Sequence, residues 1–503
     1  MSGLLAAVLA EKSLGEAVGA IGTARLELEG PAASRPLVVA ALAAAVGGGR
    51  PVLAITATGR EADELGAVLA DLLGPDVVEV FPSWETLPHE RLSPRPDTVG
   101  RRLRALRRLA HPEDDPARPS VRVVVATVRS LIQPMAPGLG ELAPLSLAVG
   151  AEHDFERLVE RLVELAYVRV DMVEKRGEFA VRGGILDVFA PTAEHPVRVE
   201  FWGDEVSEIR SFSVADQRSL PGEVRAFTAP PCRELLLTEP VRARAAALAG
   251  EHRADAHLVE MLDKLANGIP CEGMEALIPV LCDGELRLLT DVMPNGTIVL
   301  LADPEKVRTR AHDLVRTGQE FLEAAWLTAA EGGSPGTTPI DLGASAYRAL
   351  GDIATHAVES GRSWWTLSQL TTEVDDVQRL EISSVESYRG DVDRAFADLR
   401  GHTAAGGVAV LVVPGAGTAQ RAVERLAEAE VPAWLAQDGL CTVPRPGVVT
   451  VVRGSLEDGF VIGEPALVVL TETDLTGGRG GTSTSSLRDV SRLPSRRRNA
   501  VDP

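Results

Sequence analysis

The chain has 503 residues, 45% apolar and 24% charged, a globular composition long enough for about three or four domains at roughly 100–200 residues each. Its 51 basic and 72 acidic side chains leave a net charge of −21, a field that repels polyphosphate and excludes a nonspecific nucleic-acid coat. Four cysteines, Cys232, Cys271, Cys282 and Cys441, form no CxxC pair, which argues against a disulfide scaffold or zinc ribbon and suits a reducing cytoplasm.

Aromatic residues are only 4% of the chain, so the cores are expected to be aliphatic. Glu11 and Lys12 interrupt the short apolar run after Met1, against a signal peptide, and no uncharged apolar stretch reaches about 18 residues, so no membrane span is expected. Strand-like and helix-like patterns then alternate: Arg25–Leu28, Leu37–Val46, Pro51–Thr56, the helix Glu61–Leu73, Val77–Phe81 and the β-branched run Val121–Thr127. Such alternation predicts a parallel α/β sheet. From about Ser130 the texture changes to a helix at Phe155–Leu165 and strands at Glu178–Phe189, Val197–Trp202 and Glu205–Phe212, an antiparallel α+β insert. Val197, Val199 and Phe201 share one face of their strand, and Gly203-Asp204 is the hairpin loop. Helices dominate from Pro240 to Ala329, with a strand at Thr297–Ala302 feeding the helix Glu305–Ala325. Gly332–Pro339 reads as a linker. A further α/β unit begins near Tyr347 and contains Val408–Val413, Val448–Val452 and Ala466–Leu470. The Gly/Ser/Arg-rich Gly477–Pro503 reads as a disordered tail.

Motifs for catalysis are sparse. A P-loop after Arg25–Leu28 would need a Lys and a Ser/Thr, but the turn Gly30–Leu37 places Pro36 and Leu37 in those slots. Proline also removes an N–H that would face phosphate. Gly415-Ala-Gly417 follows a strand without the third glycine of a dinucleotide fingerprint, since Gln420 stands there. His252 and His257 lack the i,i+4 spacing of a metal pair, and Glu373, Asp375 and Asp376 read as a solvated acidic run. No metal site and no catalytic site is expected. Arg101, Arg102, Arg104, Arg107 and Arg108 lie on a helix with the apolar stripe Val99, Leu103, Leu106 and Leu109. Arg101, Arg104 and Arg108 are candidate phosphate contacts; equally, the helix can pair with the acid in excess elsewhere. Arg169, Lys175, Arg176 and Arg182 cluster around the insert strands. An exposed Arg182 between small residues suits a protein interface as well as an ordinary surface position.

Phe81-Pro-Ser-Trp84-Glu85-Thr-Leu87-Pro88-His-Glu90, followed by Ser93-Pro94 and Arg101-Arg-Leu103, resembles the first domain of bacterial transcription-repair coupling factors, the Mfd family. Tyr167-Val-Arg169-Val-Asp171, Arg176–Phe189 and Val199–Glu205 are similar to the module that family shares with the excision-repair protein UvrB. Gly268–Pro279 and Gly454–Phe460 agree as well, so the resemblance spans nearly the whole chain. The degenerate Gly30–Leu37 turn, and Ser83–His89 where UvrB begins its tyrosine-rich hairpin, set the chain apart from UvrB itself.

The resemblance implies a multidomain α/β architecture. Residues 1–129 form a UvrB-like parallel domain with a degenerate P-loop, and 130–214 an inserted α+β UvrA-binding domain. Residues 215–331 return to the first domain, 332–346 link, 347–476 form a separate α/β domain, and 477–503 trail as a tail. It implies a noncatalytic, cytoplasmic adaptor that recruits UvrA through Arg169, Arg176, Phe179 and Arg182, with no cofactor of its own. The period-2 pattern sets Phe179 on the face opposite Arg182. Family members are about twice this length or more, so the chain reads as an N-terminal part. The ATP- and Mg-dependent translocase motor, and contacts with RNA polymerase and double-stranded DNA, fall to the C-terminal half. The alternatives are a P-loop ATPase or helicase, or a nucleotide-dependent enzyme using Gly415–Gly417.

Overall fold

A computed structural model describes residues 3–44, 49–87, 92–251, 256–332, 346–369, 377–385, 387–463 and 466–477. Most of the expected linker 332–346 and all but the first residue of the tail 477–503 therefore lie outside the described residues, as do His252 and the acidic run at Glu373, Asp375 and Asp376. The chain forms two compact units, one from 17–29 and 39–378, the other from 1–16, 30–38 and 379–503.

The larger unit is built on a seven-stranded sheet. Its strands run, edge to edge, Val377–Arg379, Arg25–Glu29, Ser363–Ser368, Ile298–Ala302, Val52–Thr56, Val123–Thr127 and Val78–Phe81. Every pairing from Arg25–Glu29 to Val78–Phe81 is parallel. Val52–Thr56, Val123–Thr127 and Ile298–Ala302 are buried along their whole length, as continuous aliphatic runs must be when helices cover both faces of a parallel sheet. The helix predicted from Glu61 runs Gly59–Leu73. It is started by a capping box in which Thr58 Oγ1 accepts from the Glu61 amide and the Glu61 carboxylate accepts from the Thr58 amide.

Two expected boundaries move. Ser363–Ser368 sits inside this sheet, between Arg25–Glu29 and Ile298–Ala302, and Ile353, Ala354, Ala357 and Trp364 join its core. The separate α/β unit expected from 347 therefore starts near Arg379. The paired Trp364 and Trp365 fill both faces of a strand whose neighbours lie far away in sequence, a placement that local periodicity does not encode. The insert, expected over 130–214, has its own core from Leu145 to Cys232. Leu131, Ile132, Met135 and Leu139 pack instead into the first core, and the return begins at Leu235. Leu145–Ala148 and Ala226–Ala229 pair with each other across the whole insert.

The insert's main sheet has the order Glu205–Ser211, Val197–Trp202, Ile185–Val188, Glu178–Arg182, Val168–Arg169. The helix Phe155–Glu164, capped by Asp154, supplies Leu158 and Leu162 to its core.

The smaller unit carries a six-stranded sheet in the order Ile382–Ser384, Phe460–Ile462, Leu467–Thr471, Val408–Val413, Val449–Arg453, Ala433–Leu435. It is parallel through its last four strands and antiparallel at the other edge. Residues 1–16 and 30–38 group here rather than with the expected 1–129 domain. The Glu11 carboxylate accepts from the amides of Ser13 at 2.9 Å and Leu14 at 3.0 Å, while Ser13 Oγ accepts from the Glu381 amide at 2.8 Å.

Candidate partner-binding surface

The insert sheet has one face on the helix Phe155–Glu164 and one facing away. Opposed residues of antiparallel strands share a face, and each strand alternates. The register Val181↔Leu186↔Val199↔Ile209 therefore forms the inner row, while Arg182↔Ile185↔Glu200↔Glu208 forms the outer one. Phe179 opposes Val188 and is 0% exposed. It holds the strand in place from inside and is no surface contact, which corrects its assignment as a binding residue.

Arg182 ends its strand exposed, and one guanidinium nitrogen donates to the Asp171 carbonyl at 2.6 Å. The following Gly183 has φ +61°, a left-handed turn that glycine adopts without strain. Arg176 is exposed, donates to the Ala193 carbonyl at 3.0 Å and lies 5.1 Å over the Phe189 ring. Arg169 is exposed on the edge strand, but its register partner is Phe179. The sheet thus puts Arg169 and Arg182 on opposite faces and does not join all three arginines into one patch.

Below the outer row, Asp187 and Arg198 form a bidentate pair with two contacts of 2.8 Å, and Arg198 lies 4.9 Å over Phe212. Val173, Ala180, Phe189 and Phe212 make a small second core on this side. This packing holds the strand that presents Arg182.

The insert is tied to the first domain by buried charge. Arg102, one of the five arginines of its helix, is fully buried, and so is Glu234. Arg102 Nε donates to Glu234 Oε1 at 2.5 Å, Trp84 Nε1 donates to the same oxygen at 3.0 Å, and an Arg102 terminal nitrogen donates to the Pro82 carbonyl at 3.0 Å. The guanidinium lies 4.4 Å from the Phe81 ring centroid. Next in chain, Arg233 donates to Glu275 and to Ser93 Oγ, each at 2.8 Å. Sequence reasoning missed both pairs. The only signal was the Phe81–Glu85 motif, whose Trp84 and Phe81 turn out to line the pocket.

The other arginines of the helix Pro96–Ala110 are engaged within the chain. Arg104 and Arg108 both meet Glu79, at 3.1 and 2.8 Å, and Arg101 meets Asp63 at 3.3 Å. This is the acid-pairing alternative. At the Gly30 turn, a Cβ on Gly30 would stand 2.7 Å from Ser34 Oγ and 3.0 Å from Leu380 Cδ1, and Pro36 and Leu37 are buried.

Among the described residues, His111, Glu113 and Asp114 are close enough to share a cation. The imidazole is already held by Glu113 at 3.0 Å and Glu141 at 2.7 Å, and Asp114 by Arg107 at 2.6 Å.

The UvrB interaction domain model matches residues 145–234, the stretch enclosed by the insert's core. The transcription-repair-coupling factor of Mycobacterium tuberculosis is 55% identical over 95% of this chain and 39% of its own length, and that of Mycobacterium bovis matches to the same extent. The transcription-repair-coupling factor of Myxococcus xanthus is 35% identical over 50% of this chain and 22% of its own length. The chain thus spans about two fifths of the mycobacterial relatives. Over the residues it shares with them, it belongs to the transcription-repair-coupling factor family.

Proposed function

We propose that this chain is the adaptor region of a transcription-repair coupling factor, and that its insert recruits UvrA of nucleotide excision repair to sites of stalled transcription. The observation that carries this reading is an exposed Arg182 at the end of a stiffly packed strand, inside the stretch that resembles the UvrB interaction domain. A guanidinium there offers a planar fork to a partner carboxylate, a geometry Lys does not reproduce. Arg176 stands on the loop before this strand, and Arg169, exposed on the opposite face of the edge strand, is reached by a partner that wraps that edge. On this reading the chain is noncatalytic and works in the bacterial cytoplasm. Pro36 and Leu37 in place of the Lys and Ser/Thr of a P-loop support the absence of nucleotide chemistry there. ATP, Mg, RNA polymerase and double-stranded DNA are engaged by parts of the coupling factor that the match does not span. No described helix is long and apolar enough to cross a membrane.

The test is calorimetric titration of purified UvrA into the chain. Truncating one partner of a desolvated charge pair costs on the order of 2–5 kcal/mol, so Arg182→Ala is expected to weaken binding roughly 30-fold or more with thermal stability unchanged. Arg182→Lys should recover only part. Parent-like affinity in Arg182→Ala rejects the arginine assignment, and micromolar Mg-ATP binding at Gly30–Leu37 rejects the noncatalytic reading.

A further inference from the structure

Trp202 is 85% exposed, more than any other large apolar side chain among the described residues; the next, Val443, is 63% exposed. It closes the strand Val197–Trp202 at a two-residue hairpin, opposed to Glu205 across Gly203-Asp204, with Gly203 at φ +63° supplying the turn. Nothing in that turn needs an indole, because Gly203 alone sets its geometry.

The strand alternates, so Trp202 stands on the same face as Glu200, and the register Arg182↔Ile185↔Glu200 carries that face back to Arg182. Neighbouring strands lie about 4.8 Å apart, which puts the Trp202 and Arg182 strands roughly 10 Å from each other, within one protein footprint. Acidic residues adjoin Trp202 in the register: Glu205 opposes it directly, Asp204 is in the turn, and Glu200 lies two positions back on the same face, in the row that leads to Arg182.

We propose that Trp202 is the apolar anchor of this interface. It inserts into a pocket of UvrA whose rim carries basic side chains facing Glu200, Asp204 and Glu205, while an acidic side chain of UvrA meets Arg182. The inference rests on the reading that the insert docks UvrA. It adds that the binding energy centres on the hairpin tip, because Trp is among the residues most enriched at interface hot spots once its ring is desolvated in a pocket.

The experiment titrates UvrA into the parent chain, Trp202→Ala, Trp202→Phe and Arg182→Ala, with melting curves and sedimentation velocity for each. Trp202→Ala is expected to weaken binding at least about 30-fold, with Tm within roughly two degrees of the parent, as for an exposed side chain. Trp202→Phe should recover part of the loss. Binding lost in Arg182→Ala but intact in Trp202→Ala overturns this inference and leaves the docking reading standing. Binding lost in Trp202→Ala but intact in Arg182→Ala supports the anchor and removes the arginine assignment. A parent chain that does not bind UvrA overturns both. Self-association of the parent that Trp202→Ala abolishes would show a second copy on this face and overturn the proposal.

Discussion

Replacing Glu234 by Gln tests whether buried charge locks the insert to the first domain. Gln keeps the volume, and its carbonyl oxygen can still accept from Trp84 and Arg102, but it removes the negative charge and leaves the Arg102 guanidinium charged, fully enclosed and without a counter-ion. Removing one partner of a buried pair typically costs about 3–5 kcal/mol, because the other charge stays desolvated. A chain with several cores does not unfold in one step, so the readout is native-state hydrogen exchange in the helix Pro96–Ala110, which reports local opening. That cost corresponds to a loss of protection of roughly 10²–10³-fold or more. The double variant Arg102→Met, Glu234→Met should regain most of it, since well-packed apolar replacements of a buried pair are often neutral. A loss below about tenfold in Glu234→Gln, or a double variant no better than the single one, would refute the reasoning.

Gly100→Ala should destabilise the same contact even though Ala is the better helix former by about 1 kcal/mol. A Cβ there would stand 2.4 Å from Pro191 Cβ, and overpacking of this kind costs about 1–3 kcal/mol; a raised melting temperature would show that the contact relaxes freely. His111 is held above its ordinary pKa of 6.5 by its hydrogen bonds to Glu141 and Glu113. Its contribution is therefore complete below the unfolded value and lost as pH rises through the folded one. The parent should melt above His111→Gln at pH 5.5 and together with it at pH 8.5, and a gap that widens with pH would reverse the assignment.

Much of the local structure was legible in the residues. The aliphatic runs at Val52–Thr56 and Val123–Thr127 announced buried parallel strands, because only a sheet covered on both faces accepts them. The alternation in Val197–Trp202 placed Val199 inside and Trp202 outside, and the same period set Phe179 opposite Arg182. The Arg182 position was readable too, from small residues that leave it no neighbour to pack against. The tertiary structure decided what depends on partners distant in the chain. The helix period carries Arg102 onto the apolar stripe between Leu106 and Leu109, and only Glu234, brought in at the end of the insert, makes its burial tolerable. Ser363–Ser368 entered the first sheet because Arg25–Glu29 and Ile298–Ala302 left a slot between them. Arg169 and Arg182 carry the same charge thirteen positions apart, yet strand register sets them on opposite faces. Periodicity reports which side of its own element a residue occupies. It says nothing of what that side will meet, because strand order and charge pairing are settled when distant segments compete for the same buried surface.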